Sequence, residues 1–262
     1  MGVDHKPHVH IIVPITSESF RGNALLEAFA GAACEVSSAF LKSGPVSVES
    51  SIDEALAGPG LIAAAIEAEA GAADAIVIDC MLDPALDALR EAVAIPVVGS
   101  GEANMLAAAL NGRRFSIVTV LDRQERLFRQ KARLHGLQDS LLSVRSIAVP
   151  VLELNKDVQT TLARTLAESM IAITDDGAEA IVFGCTGMLG LGEPVRMGLA
   201  DAGLEVPVFD PLPYAVEVAA QFVRDGQSHS KVEYPYPERK GFAGLSDWPA
   251  LATLLKTPES KK

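Results

Sequence analysis

The chain has few cysteines, no concentration of basic residues and no long apolar segment. Three cysteines in 262 residues are too few for a disulfide framework. Their spacing fits no zinc site, and we expect His8 and His10, which alternate along a strand, to be packing or surface residues rather than metal ligands. The net charge of −12 and the lack of a basic stripe argue against nucleic acid and membrane surfaces as partners. The negative charge does not exclude a small-molecule substrate.

The absence of apolar segments also bears on localisation. No apolar run approaches the roughly 20 residues that span a bilayer. The N-terminal residues 1–7 lack the apolar core of a signal peptide. We therefore expect a cytoplasmic protein.

The composition is globular, with 49% hydrophobic and 21% charged residues. Short β-branched runs alternate with Ala/Leu-rich stretches of helical period, which is typical of a parallel α/β sheet. In the first half the predicted strands are 8–13, 46–49, 75–79 and 97–99, and the predicted helices are 20–33, 53–70 and 84–93. In the second half the predicted strands are 115–120, 144–149, 180–184 and 206–209, and the predicted helices are 122–134, 156–175 and 193–202.

The second half repeats the first. Both have the order β-α-β-α-β-α-β, and the segment 74–80, DAIVIDC, aligns with 179–185, EAIVFGC. Any two βα units share some likeness, since apolar runs are ordinary for buried parallel strands. A cysteine, however, ends the third strand in both copies. The repeat favours two related lobes that present Cys80 and Cys185 at equivalent strand ends.

Two cysteines at strand ends suit proton transfer at carbon. Ligands of open α/β sheets bind beyond the carboxyl ends of the strands, where the start of a following helix favours a thiolate. We expect a lowered pKa for both thiols, so that Cys80 and Cys185 work as acid and base near neutral pH. One thiolate would remove a proton and the other thiol would return one to the opposite face. Cys34 has no counterpart in the second half and is predicted to be a core residue.

Other polar residues flank these strand ends. Glycines beside Cys185 let the backbone approach a ligand, and Thr186 could donate to a substrate oxygen; an ordinary glycine turn is the alternative. Thr16 and Ser17 follow the first strand and could cap a helix, bind a substrate oxygen, or do both. Glu102 either lines the cleft or starts a helix.

These residues resemble a known family, the aspartate/glutamate racemase superfamily, over nearly the whole chain, and its hydantoin and allantoin racemase branch most closely. The segment 80–86, CMLDPAL, resembles that branch's first cysteine motif, and 184–188, GCTGM, is similar to the second. The segment 96–99, PVVG, followed by Glu102, resembles a further landmark. Ser230-Lys231 and the Tyr/Pro segment of the tail also look like this branch.

The resemblance implies two pseudo-symmetric α/β lobes, each a mainly parallel four-stranded sheet flanked by helices, with the active site between them. Residues 1–98 and 211–262 would form one lobe, and 99–210 the other. Cys80 and Cys185 would be the catalytic residues of a cofactor-independent racemase that forms a homo-oligomer. The implied substrate-binding residues are Pro14, Thr16, Ser17, Met81, Thr186 and Gly187, to which Glu102 is added.

One segment departs from the family's pattern. The branch usually carries Asn-Pro-Asn-Thr-Ser after the first strand, whereas residues 13–17 read VPITS, with Val13 and Ile15 in place of the asparagines. The residue after Thr186 is glycine, not the His or Glu typical of glutamate and aspartate racemases. We therefore expect a 5-substituted hydantoin or related amino-acid derivative, with a more apolar ligand than usual, ahead of free acidic amino acids.

Three alternatives remain open. A maleate-type cis–trans isomerase of the same fold also keeps two cysteines, so the cysteine pair does not distinguish it. An arylmalonate-type decarboxylase resembles a one-cysteine pattern, which this chain lacks. A non-catalytic small-molecule binding protein is compatible with the missing asparagines, but the two retained cysteines argue against it.

The tail from Gly226 changes character. Repeated prolines in the segment 234–237, YPYP, forbid regular structure. We predict an extended arm along the surface, reaching across a neighbouring subunit, with a short helix near 250–256.

Overall fold

The computed structural model describes residues 6–18, 29, 32–112 and 114–238. Two four-stranded parallel sheets carry the described part of the chain. The strands of the first sheet are β1 (His8–Val13), β2 (Glu35–Phe40), β3 (Ala75–Ile78) and β4 (Val97–Gly99). The strands of the second sheet are β5 (Phe115–Thr119), β6 (Leu141–Ser146), β7 (Ala180–Phe183) and β8 (Val208–Phe209). The strand orders are β2-β1-β3-β4 and β6-β5-β7-β8, so the two halves share one topology and the predicted α/β class is confirmed.

Helices connect and cover the strands. They are α1 (Ser51–Ala70), α2 (Leu86–Ala92), α3 (Ser100–Gly112), α4 (Glu125–Leu134), α5 (Val158–Thr174), α6 (Gly192–Asp201) and α7 (Pro213–Arg224). Short 3₁₀ turns lie at Asp122–Gln124, Val151–Glu153 and Thr186–Met188. Although α7 follows the second sheet in the chain, it packs against β1, β3 and β4 of the first. The lobe boundaries at residues 98 and 211 stay a prediction.

The central strands are apolar because helices cover both of their faces. Every residue of β3 and β7 is buried. The backbone continues this equivalence past the strands: Asp79 N donates to Ile12 O at 2.9 Å, and Gly184 N donates to Val118 O at 2.8 Å. The residues that come next, Cys80 and Cys185, therefore leave the two sheets at matching positions.

The clearest differences from the sequence prediction concern β2 and α3. The second strand is β2, and the predicted strand at 46–49 is irregular. The sequence of β2, EVSSAF, lacks a continuous apolar run because this edge strand is only partly buried. The second difference is α3, which was not predicted as a full helix. It begins at Ser100, directly after β4. The N–H groups of its first turn donate hydrogen bonds to the carboxylate of Asp83, a residue remote in sequence.

Two predicted helices fall largely or wholly outside the described residues. Of the helix predicted at 20–33, Phe29, Ala32 and Ala33 are described and are not helical. The short helix predicted near 250–256 lies beyond residue 238.

The described part of the C-terminal arm packs on its own chain. Residues 227–238 form no regular helix or strand, as predicted. His229 Nε2 accepts the Val97 N–H at 2.8 Å. Lys231 Nζ donates to the carbonyls of Arg90 and Val93, both at 2.6 Å, so the ammonium group satisfies the carboxyl end of α2.

Replacing Lys231 with methionine tests this arm. Lys231→Met keeps the apolar stem but leaves the carbonyls at the end of α2 without their donor, so we expect a loss of about 1–3 kcal/mol in the free energy of unfolding. Equilibrium urea unfolding measures it. The matched control is Lys156→Met, whose ion pair with Glu153 is 71% and 53% exposed and should change stability by less than about 0.5 kcal/mol. Equal effects of the two substitutions would refute a stabilising role for the Lys231 contacts.

Candidate active site

Cys80 and Cys185 line a single pocket at the carboxyl ends of the strands. Cys80 follows β3, and Cys185 follows β7 as the N-cap of the turn Thr186–Met188. The pocket lies between three chain segments, 13–15, 79–82 and 184–187, with Val48, Gln124 and Val151 completing the wall. Its volume is about 30 Å³, which is room for about two water molecules.

A hydrogen bond ties the two cysteine-bearing loops together. Thr186 Oγ1 donates to the Asp79 carbonyl at 3.1 Å, across 107 positions of the sequence. The sequence suggested that the Thr186 hydroxyl donates to a substrate oxygen. In the structure Thr186 is buried and its hydroxyl proton is used in this bond within the protein. The bond fixes the backbone just before Cys80 relative to the residue just after Cys185.

The two thiols have different electrostatic surroundings. Burial raises the pKa of Cys80 well above its ordinary value, and the nearby Cys185, Asp83 and Glu54 add to this, while the Leu82 N–H opposes it. Cys80 keeps some surface on the pocket, but the pocket volume of about 30 Å³ leaves room for little water. The prediction of a lowered pKa is therefore wrong for Cys80, because the loss of hydration outweighs the single N–H donor.

The local backbone explains why no helix N-terminus lies beside Cys80 to lower its pKa. Between Cys80 and α2 lies an irregular turn in which Asp83 and Ala85 have φ of +46° and +58°. The helix α2 has no side-chain cap and begins six positions after the thiol, at Leu86. Cys185 differs, since its Sγ accepts the Gly187 N–H at 3.4 Å. A hydrogen bond from a backbone N–H favours the thiolate form of a cysteine.

The structure brings most, but not all, of the predicted site residues to this pocket. Cys80, Cys185 and four of the residues predicted to bind substrate line it, namely Pro14, Met81, Thr186 and Gly187. Thr16 and Ser17 do not line it, and Thr16 Oγ1 donates instead to the Pro45 carbonyl at 3.3 Å.

Glu102 also lies outside the pocket lining. Its carboxylate pairs with the buried guanidinium of Arg90, and the imidazole of His135 stands 3.7 Å away. Glu102 is the third residue of α3, so the helix-start alternative describes it and the cleft-lining one does not.

Several pocket residues were not predicted. Asp79 is buried and directly precedes Cys80, a position that the sequence repeat itself marks. Gln124 is buried and accepts from Thr119 Oγ1 through Oε1 at 2.6 Å. Val48 and Val151 come from separate loops, which a hydrogen bond from Val151 N to Glu49 Oε1 joins at 2.8 Å. No local sequence pattern predicts that these residues line the pocket, because only the tertiary fold brings them together.

Ile15 gives the pocket an apolar wall. It is 5% exposed and lines the pocket at a position where the resembling branch carries an asparagine. A side-chain amide is absent there, and Val48 and Val151 extend the apolar surface.

A larger cavity of about 420 Å³ lies between α1 and the strands β1 and β2. Its floor carries His8 and His10, whose Nε2 and Nδ1 atoms lie 2.6 and 2.8 Å from Ser37 Oγ. This larger cavity contains neither Cys80 nor Cys185, so the larger volume and the reactive side chains lie in different pockets. The small pocket, which has both thiols, is the candidate active site.

Among the residues described, no group of three or more His, Cys, Asp or Glu side chains could hold a metal ion. Within the same residues, none of the helices has the length and apolar character needed to cross a bilayer.

Comparison with known proteins identifies the family. A family model described as Asp/Glu/Hydantoin racemase matches residues 10–219. The chain is 37% identical to a hydantoin racemase of Rhizobium meliloti over 240 residues, covering 90% of this chain and 98% of that protein. It is 36% identical over 204 residues to a hydantoin racemase of Pseudomonas sp. (strain NS671), covering 78% and 80%. The structure of allantoin racemase from Klebsiella pneumoniae superposes with a TM-score of 0.86 at 29% identity, covering 94% of this chain and 99% of that one. The chain therefore belongs to the Asp/Glu/hydantoin racemase family, and its enzyme class is that of a racemase.

Proposed function

We propose that this racemase inverts the stereocentre of a 5-substituted hydantoin or a related amino-acid derivative, with Cys80 and Cys185 as its two acid/base groups. The observation that carries the proposal is that both thiols line one pocket after equivalent strands. The substrate class draws support from the relatives, two of which are named hydantoin racemase and one allantoin racemase. Allantoin is itself a hydantoin substituted at carbon 5.

We infer the resting forms of the two thiols from their unequal surroundings. Cys185 accepts the Gly187 N–H and is the thiolate, and Cys80, whose pKa is raised, is the thiol. The Cys185 thiolate takes the proton from carbon 5, and the Cys80 thiol delivers a proton to the opposite face. The pair then stands with its charge on Cys80, ready for the opposite enantiomer or for proton exchange with water. The reaction needs no group beyond the two thiols to move protons.

The intermediate of this reaction is an enolate, whose oxygen requires a hydrogen-bond donor. The Leu82 and Gly187 N–H groups serve the two sulfur atoms, so they are not free for that role. Gln124 lines the pocket, and Thr119 holds its Oε1. We propose that the Gln124 amide N–H groups, which this bond leaves as donors, stabilise the enolate oxygen.

Proton NMR in deuterium oxide tests the reaction directly. We expect wild-type enzyme to remove both the carbon-5 proton signal and the optical rotation of single-enantiomer hydantoins. Cys80→Ser and Cys185→Ser should each lower racemisation by about 10²–10⁴-fold, the usual size of an acid/base contribution. Each variant should still exchange the proton of one enantiomer without inverting it, because a single base remains on one face.

The controls separate this mechanism from its alternatives. Cys34→Ser, the matched cysteine substitution outside the pocket, should retain racemisation, and buffer alone gives the background exchange. Full activity in both single variants would rule out the two-thiol mechanism. Loss of carbon dioxide or a changed double bond in the products of maleate-type and arylmalonate-type substrates would instead favour those reactions. Tight binding without exchange would favour a binding protein.

Thr186 should act through the bond between the loops. Thr186→Val keeps the shape and removes the hydroxyl donor, so the Asp79 carbonyl loses its partner and the thiols lose their fixed separation. We expect kcat to fall about tenfold, the equivalent of about 1.4 kcal/mol, with a smaller change in KM. Thr186→Ser keeps the donor and should restore most of the rate. Equal impairment of the two variants would contradict this role.

Ile15 should determine substrate preference. Ile15→Asn introduces an amide into the apolar wall, so we expect the ratio of kcat/KM for a hydantoin with an apolar substituent to that for allantoin to fall about tenfold or more. The matched control is Val46→Asn, at an exposed position, which should leave the ratio unchanged. An unchanged ratio in Ile15→Asn would show that this wall does not contact the substituent.

A further inference from the structure

Asp83 joins the turn that carries Cys80 to the start of α3. Its Oδ1 accepts the Gly101 N–H at 2.9 Å, and its Oδ2 accepts the Glu102 N–H at 2.6 Å. Its own N–H donates to the Cys80 carbonyl at 3.1 Å. The residue is 3% exposed, so solvent does not replace these contacts.

The surrounding backbone is fitted to this carboxylate. A Cβ at Gly99 would lie 2.5 Å from Asp83 Cγ, and a Cβ at Gly101 would lie 2.1 Å from the Met81 carbonyl oxygen and 2.9 Å from Asp83 Oδ2. Asp83 and Ala85 both have positive φ, which non-glycine residues adopt only where the surroundings hold them. The two glycines and the two strained residues allow the carboxylate to sit between the turn and the helix.

Several charged groups face Asp83 from the elements around it. They are Cys80 in its own turn, Glu102 on α3, Lys131 and His135 on α4, Asp87 on α2, and Glu54 on α1, which pairs with Lys131 at 3.3 Å. Burial raises the pKa of Asp83 to about 7, although both N–H bonds and Lys131 lower it. Asp83 in turn raises the pKa of Cys80.

We infer that Asp83 is a positioning residue for the racemisation: its carboxylate clamps the Cys80 turn onto α3, and its negative charge keeps Cys80 in the proton-donating thiol form. This inference rests on the proposed role of Cys80. A protonated carboxyl donates through one oxygen and accepts well through the other, so it cannot hold both N–H groups equally. The clamp is complete only in the carboxylate form, and kcat therefore falls as the pH drops through the range around 7.

The first test reads the Cys80 thiol without requiring racemase activity. In the full chain with Cys34→Ser and Cys185→Ser, the rate of iodoacetamide alkylation is followed against pH by intact mass. Adding Asp83→Asn removes the negative charge, so the midpoint for Cys80 should move down by about one pH unit. The control Asp87→Asn makes the same change on an exposed side chain and should not move it. An unmoved midpoint in Asp83→Asn would overturn the inference.

The second test is kinetic and uses two variants, of which Lys131→Gln leaves Asp83 in place. In the enzyme with its three cysteines, Asp83→Asn should lower kcat about 10–100-fold with little change in KM. Lys131→Gln removes the cation that favours the carboxylate, so the acid limb of the kcat profile should move to higher pH. An unmoved limb would overturn the inference even where Asp83→Asn does not fold. Full activity of Cys80→Ser would instead refute the proposed function. The alkylation experiment does not depend on racemase activity, so it would still test the effect of Asp83 on the Cys80 thiol.

Discussion

The hydrogen bond from Thr186 Oγ1 to the Asp79 carbonyl is the constraint on which the site depends. The two sheets come from different halves of the chain, and nothing in either sheet alone fixes one strand end relative to the other. A reaction that uses two faces of one carbon tolerates little error in the separation of its acid and base. Besides the apolar core that the two sheets share, this bond connects the residue before Cys80 directly to the residue after Cys185.

The repeated fold supplies matching positions, but the loops after the two strands make the thiols chemically unequal. After Cys185 a 3₁₀ turn starts at once, and the Gly187 N–H reaches the sulfur. After Cys80 the chain makes an irregular turn, and a buried acid, Asp83, stands nearby. The proposed mechanism uses this difference, with Cys185 as the thiolate and Cys80 as the thiol, which is the pair of forms that one proton transfer requires.

The sequence was informative where a feature is local and less so where it is tertiary. The repeat at 74–80 and 179–185 located both cysteines because a buried strand leaves an unbroken apolar run. The strand β2 was misplaced because it lies at the edge of the sheet among the described residues and its serines break that run. Gln124 and Val151 reach the pocket only through folding, and the helix α3 is capped by Asp83 from a distance. The pKa of Cys80 was predicted in the wrong direction because burial depends on the whole fold.

A raised pKa for Cys80 is compatible with catalysis, and the reason lies in the substrate. Carbon acids hold their protons far more tightly than ordinary thiols, so a thiolate with a higher pKa is a stronger base and narrows that gap. A Cys80 thiolate is rare for the same reason. Part of the rise in its pKa comes from Cys185, because two negative charges in one pocket repel each other. One charge is then shared by the pair. In the proposed mechanism each turnover moves this charge from one face of the substrate to the other, and the net charge of the pocket stays the same.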